Sequence, residues 1–149
     1  MARFHSEGFE KLIDDLESLE IDTGELGKRI LTEAAAVVRN CWQNQIRRFK
    51  LIDTGAMINS IGFSRKPKKV GDILSIDIYP QGREPDTQSK RDGHVIKGVR
   101  NAEKAFILHY GTSETPGTYF VDAADAEAGP EVEKVAFDVY EKWLNEHDF

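Results

Sequence analysis

Only one cysteine, Cys41, occurs in the chain, so no internal disulfide can form, and the usage suits assembly in a reducing cytoplasm. Cys41 is not part of a Cys-x-x-Cys unit. The four histidines, His5, His94, His109 and His147, are scattered, with no pair at helix-ligand spacing, so no metal site is expected. Long apolar runs are missing too: stretches such as Ala34 to Val38 last a few residues, far short of a bilayer span. Met1 to Glu10 has no cleavable apolar core and carries Glu7 and Glu10, so a secretory signal is not expected. No glycine-rich phosphate loop and no dinucleotide fingerprint is present, and no cofactor is expected.

What remains is the composition of one folded domain. The chain has 149 residues, of which 40% are hydrophobic and 31% charged, enough for a single core across residues 1–149. The net charge of −6 conceals a strong asymmetry. Residues 1–27 and 121–149 are acidic, whereas residues 28–69 carry ten basic side chains against two acidic ones. Such blocks can pair within a subunit or between neighbouring copies, or simply form solvated helix faces.

Phe9, Leu12, Ile13, Leu16 and Leu19 recur at three and four residues and predict an amphipathic helix. Asp22-Thr23-Gly24-Glu25 interrupts it, and Asp22 or Thr23 can cap a second helix with Glu25 in its first turn. That helix should be long. Leu26, Ile30, Ala34, Val37, Val38, Cys41, Gln45, Ile46 and Phe49 hold one face over roughly 24 residues, about 36 Å. A short helical turn through Met57 and Ile58 follows, and the period then changes to two at Ile61 and Phe63 and again at Leu74, Ile76 and Ile78. Lys66 to Asp72 reads as the hairpin connection between two strands. Residues 81–101, with no periodicity, read as a long mobile loop, and Ala105 to Tyr110 as a further strand. Tyr119 to Ala128 reads as a short helix or extended approach. Gly129-Pro130 breaks it, and a last helix buries Val132, Val135, Ala136, Val139 and Trp143. The order predicts an α+β domain: long N-terminal helices and a C-terminal helix packed on a small antiparallel sheet. Such a sheet has exposed edges, which a neighbouring copy can cover.

Three other readings compete with a purely structural one. Asp53-Thr54-Gly55, like Asp22-Thr23-Gly24, resembles the active-site triplet of retroviral-type aspartic proteases, in which paired Asp residues share a proton. Both triplets follow helical segments, whereas that loop needs strands around it. A turn in which Asp and Thr cap backbone N–H groups and Gly takes a positive φ is the better reading. Lys66, Lys68 and Lys69, with Arg83, Lys90, Arg91, Lys97 and Arg100, could meet phosphates, making a nucleic-acid-binding module the other alternative. Interleaved aromatics and a docking helix are both missing. Cys41 with His109 could form a nucleophile pair, but Cys41 lies on the apolar helix face, where a cysteine acts as a small core residue.

Two stretches taken in order carry a resemblance. Ile52-Asp53-Thr54-Gly55-Ala56-Met57-Ile58-Asn59-Ser60-Ile61 resembles the Asp-Thr-Gly-aliphatic-x-x-Ser-aliphatic segment of the head–tail joining (neck, tail-completion) family of long-tailed bacteriophages, the gene-product-ten type. Ala105 to Ser113 resembles that family's strand, which ends in aromatic-Gly-Thr, here Tyr110-Gly111-Thr112. Pro116, the aromatic pair Tyr119-Phe120, small residues at Ala123-Ala124 and a C-terminal helix come next. Where the family commonly has Glu ahead of aromatic-Gly-Thr, this chain has His109. The resemblance implies a structural subunit with no catalytic site and no metal, assembling with itself into a ring, six-fold by expectation. It implies a place in the virion neck, after assembly in the host cytoplasm. The neighbours would be a portal-side connector (head-closure) protein and a tail terminator or tail tube protein. DNA would pass through without sequence-specific binding, and no membrane is involved. Within that picture Arg83, Lys90, Arg91, Lys97 and Arg100 form an interface loop that orders on docking.

Overall fold

The computed structural model describes residues 23–147. The segment from Phe9 to Leu19 and the Asp22 cap lie outside the described residues.

Helix α1, Thr23–Arg48, has 26 residues, with Glu25 in its first turn and Arg47 and Arg48 in its last, as the helix dipole favours. Its buried face is Leu26, Ile30, Ala34, Ala35, Val38, Cys41, Trp42, Gln45 and Ile46. Phe49, expected on this face, is exposed, because the helix has already ended. The end has a specific geometry. Lys50 takes φ 56°, the Leu51 N–H donates to the Ile46 carbonyl at 2.9 Å, and the Lys50 N–H donates to that of Arg47 at 3.1 Å. This pair of bonds satisfies carbonyls that the helix leaves open and turns Leu51 back onto the core.

A four-residue helix, α2 (Ala56–Asn59), buries Met57 and Ile58. A β-ribbon then runs out and back. β1 (Ile61–Phe63) pairs antiparallel with β4 (Ile78–Pro80), and nested beyond them β2 (Lys68–Val70) pairs with β3 (Ile73–Ser75). The stretch Lys66 to Asp72, expected as a connection, is thus itself partly strand. The reversal is confined to Gly71-Asp72, where Gly71 has φ 62°. The ribbon lies beside the start of α1, where a Cβ on Gly27 would come within 2.9 Å of Leu74 Cδ1.

Residues 81–101 contain a second hairpin, β5 (Thr87–Gln88) with β6 (Val95–Ile96), closed at its base by a bridge between Arg83 and Arg100. Two-residue strands lack the length to show alternation, so periodicity does not reveal them.

Two further expectations are corrected. Ala105 to Tyr110 is not a strand: it belongs to helix α3, Asn101–Tyr110. The buried positions Asn101, Ala105 and His109 fall four apart, whereas Phe106 and Ile107 face outwards. Nor does Gly129-Pro130 break the last helix, for α4 runs unbroken from Phe120 to Glu146 through Pro130. An interior proline costs about 3 kcal/mol through its missing donor and its clash with the preceding turn. Against that, Phe120, Ala124, Ala128, Val132 and Ala136 form an uninterrupted buried stripe at four-residue spacing on either side of Pro130. Burial of the whole stripe outweighs the local cost.

The α+β class holds, with the strands in three two-stranded antiparallel pairs. α1 and α4 form an antiparallel couple: Trp42 meets Phe120 edge-on at 5.7 Å at one end, and Arg29 pairs with Glu146 at 2.8 Å at the other. Alanines at 34, 35, 124 and 128 let the backbones approach. The core falls into two clusters. The larger unites α1 from Ala34 onward with Met57, Ile58, Ile61, Ile78, Ala105 and the first half of α4. The smaller holds Leu26, Ile30, Ala136 and Trp143.

Candidate functional site

The two motif stretches fold into two chain reversals, each resting on the larger core cluster. In the first, Gly55 has φ 81° and the Thr54 Oγ1 accepts the Ala56 N–H at 3.2 Å, closing the turn that leads into α2. Ser60 closes the turn by donating its hydroxyl to the Met57 carbonyl at 2.8 Å. Asp53 caps no backbone group among those described. Its Oδ2 accepts from Lys104 Nζ at 3.2 Å, and Lys104 also pairs with Glu84 at 2.5 Å. Burial works against the Lys104 ammonium, but the bonds from Glu84 and Asp53 prevail and hold its pKa above the ordinary range. Asp53 therefore sits between helices α1 and α2, paired with a cation, not in the strand–loop–strand setting of an aspartic protease. The link to Lys104 ties this reversal to α3, and no local spacing in the sequence announces it.

The second reversal joins α3 to α4. Gly111 adopts φ 83°, ψ −173°, its N–H donating to the Ile107 carbonyl. A Cβ there would lie 2.4 Å from the Gly117 nitrogen and 2.5 Å from the Thr115 carbonyl oxygen. Gly117 is equally confined, since its Cβ would meet the His109 carbonyl oxygen at 2.4 Å. Thr112 organises the tip: its N–H donates to Thr115 O at 2.8 Å, and its Oγ1 accepts the Thr115 N–H at 3.1 Å. The chain then returns over the end of α3. Thr118 and Tyr119 donate their N–H groups to the carbonyls of Leu108 and His109, each at 3.0 Å. Tyr119 is held at φ 52°, and Phe120 inserts fully into the core.

His109 is the keystone of this crossing. It is buried, and its Nδ1 accepts the Val121 N–H at 3.3 Å, satisfying a donor at the start of α4. An accepting Nδ1 places the ring proton on Nε2, which faces Asp122 Oδ1 at 3.9 Å. A glutamate could supply the same acceptor. On the outer surface Phe106, Tyr110 and Tyr119 form an exposed aromatic face, with centroids 4.7 Å apart for the first pair and 6.3 Å for Tyr110 and Tyr119. Periodicity did not single out Phe106, because it stands in an unbroken apolar run.

The five basic residues of 81–101 do not gather into one patch. Arg83 and Arg100 face each other at the hairpin base, whereas Lys90 and Arg91 lie at its tip beside Asp92, which pairs with His94. Cys41 is buried, and burial, with Glu127 and Glu131 adding to it, pushes its thiol up to about 11, the reverse of a nucleophile. Among the described residues no group of three or more His, Cys, Asp or Glu could hold a metal ion. None of the described helices is long and apolar enough to cross a membrane.

Asp125, one turn into α4, carries a testable pH effect. Its Oδ1 is buried without a hydrogen-bond partner, and burial, followed by Asp122, raises its pKa above the ordinary 3.8. The folded chain therefore holds this proton more tightly than the unfolded one. Stability from this group is greatest below pH 3.8 and falls as pH rises through the window up to the elevated value. Asp125→Asn should raise the melting temperature at pH 7, with the gap to the parent closing as pH falls to the ordinary carboxylate value, as followed by circular dichroism. An equal gap at both pH values would refute it.

Comparison with known proteins bears on the first reversal and on α3. The HK97-gp10-like family model, described as "Bacteriophage HK97-gp10, putative tail-component", matches residues 10–110. That is about two thirds of the chain, and it takes in the first reversal and all of α3. No curated protein and no solved structure matches the chain. The chain belongs to the HK97-gp10-like family of bacteriophage tail components.

Proposed function

We propose that the chain is a non-catalytic building block of the phage neck, a tail-completion ring of six copies joining the head to the tail. One observation carries the reading. In a chain of this family, the motif side chains are engaged in shaping the backbone: Thr54 and Ser60 close one turn, Thr112 and two glycines close the other, and Asp53 is held by Lys104. What they leave for solvent is an exposed aromatic face and an exposed hairpin, surfaces suited to protein contact. In this arrangement the ring binds its own copies sideways, a portal-side connector above and the tail terminator or tube below. DNA passes through the middle without base-specific contacts. The hairpin of β5 and β6, with exposed Val95 and Ile96, reaches the neighbouring ring.

Complementation of a phage lacking the chain tests this. Without complementation, electron microscopy should show filled heads and separate tails. The full chain should restore joined particles, whereas a chain with residues 86–97 excised should fold yet leave heads and tails apart. That excision retains Glu84 on Lys104 and keeps Gly98 beside it. Joined, infectious particles in the total absence of the chain would overturn the reading.

A further inference from the structure

Resting on the ring reading, we infer that copies associate head to tail, the basic ribbon of β2 and β3 in one copy seated on the aromatic face of α3 and Tyr119 in the next.

Both surfaces are apolar patches with no cover among the described residues. On the ribbon, Val70 is 71% and Ile73 67% exposed; on the other face, Phe106 is 63%, Tyr110 56% and Tyr119 52% exposed. Their rims carry opposite charge. Arg65, Lys66, Lys68 and Lys69 surround the ribbon, with Asp72 and Asp77 as its acids, and among the described residues only Lys68 is paired, weakly, with Asp77 at 3.5 Å. Glu103, one turn before Phe106, Glu114 in the reversal and Asp122 at the start of α4 are exposed around the aromatics. No cation within the described chain pairs with Glu103 or Glu114. Lys104, the base next to Glu103 on α3, is occupied by Glu84 and Asp53. Lysines approaching tyrosine and phenylalanine rings gain from the ring faces as well as from the acids.

Placement decides between self-contact and contact with another copy. The ribbon touches α1 at Gly27, and the aromatic face is anchored through Phe120 at Trp42. These positions are about 22 Å apart along the helix. One molecule cannot lay its ribbon on its own aromatic face. Two different surfaces at opposite ends make a heterologous contact, which closes into a ring when the rotation permits.

The test is a paired charge reversal at exposed positions. Variant one carries Lys68→Glu and Lys69→Glu; variant two carries Glu103→Lys and Glu114→Lys. Each is checked for a native melting curve and then used to complement the phage lacking the chain. Each alone meets like charge at every junction, so joined particles should fall at least ~10-fold. Supplied together, the two can alternate, each junction again pairing opposite charges, and joining should recover to near the parental level. Normal joining by either variant alone, or no recovery in the mixture, would overturn the inference and leave the ring reading standing. Failure of the parental chain to restore joining would instead sink the ring reading. If variant one loses thermal stability, and matching charge reversals within residues 1–22 restore it, the ribbon is covered by its own N-terminal segment. That result also overturns the inference.

Discussion

Gly111→Ala is expected to destabilise the chain by about 3 kcal/mol or more, enough to leave much of it unfolded at 37 °C. Two costs coincide at this position. The backbone sits at φ 83°, ψ −173°, a region that residues with a Cβ essentially do not enter. Moreover the methyl would lie 2.4 Å from the Gly117 nitrogen and 2.8 Å from the Pro116 carbonyl carbon, backbone atoms that cannot rotate away. Relief would require pulling the returning strand off α3, with loss of the bonds that Thr118 and Tyr119 donate to Leu108 and His109. Urea unfolding followed by tryptophan fluorescence measures the loss. Gly129→Ala is the internal control: nothing lies within 4 Å of its Cβ position, and the helix should gain a few tenths to about 1 kcal/mol. Equal midpoints for Gly111→Ala and the parent would show that the crossing does not restrain the fold.

Phe120→Ala should cost about 3–5 kcal/mol, lowering the melting temperature by roughly 10 °C. Phe120 is fully buried and is the first residue of α4, so its ring closes the junction between the second reversal and the helix pair. It stacks edge-on against Trp42 and lies 6.0 Å from His109, contacts that a smaller side chain would exchange for a cavity beside two aromatic rings. Phe120→Leu, which retains most of the volume, should lose less than half as much. A loss below about 1 kcal/mol for the alanine variant would mean that the surroundings collapse onto the site, contrary to the rigid packing described.

Much of this architecture is legible in the residues, for identifiable reasons. α1 is clear because its apolar positions recur at three and four over many turns, with an acid at one end and bases at the other. α3 is not, because six successive largely apolar residues from Ala105 to Tyr110 satisfy strand and helix alike. The deciding stripe contains Asn101 and His109, polar residues that a hydrophobic pattern overlooks. Pro130 reads locally as a stop, and only the packing of α4 along the whole of α1 overrides it. Asp53-Thr54-Gly55 and Tyr110-Gly111-Thr112 stand out as motifs. Their physical purpose depends on tertiary contacts: Lys104 reaches Asp53 across 51 residues, Gly111 is constrained by the backbone of Thr115, Pro116 and Gly117, and Gly117 by that of His109 and Tyr110. The buried acceptor at His109 is similarly invisible until α4 is folded back above it.

The division of the core has a mechanical consequence. Both reversals rest on the larger cluster, where all four helices and β1 with β4 interlock, whereas among the described residues the far end of the helix couple rests on the smaller cluster of four buried residues and a surface-exposed ion pair. Local opening at that end costs less free energy than opening near the reversals, so the molecule is graded in stiffness along its length. A body that is firm at one extremity and yielding at the other can take up small angular strains without disturbing the shape of its firm end.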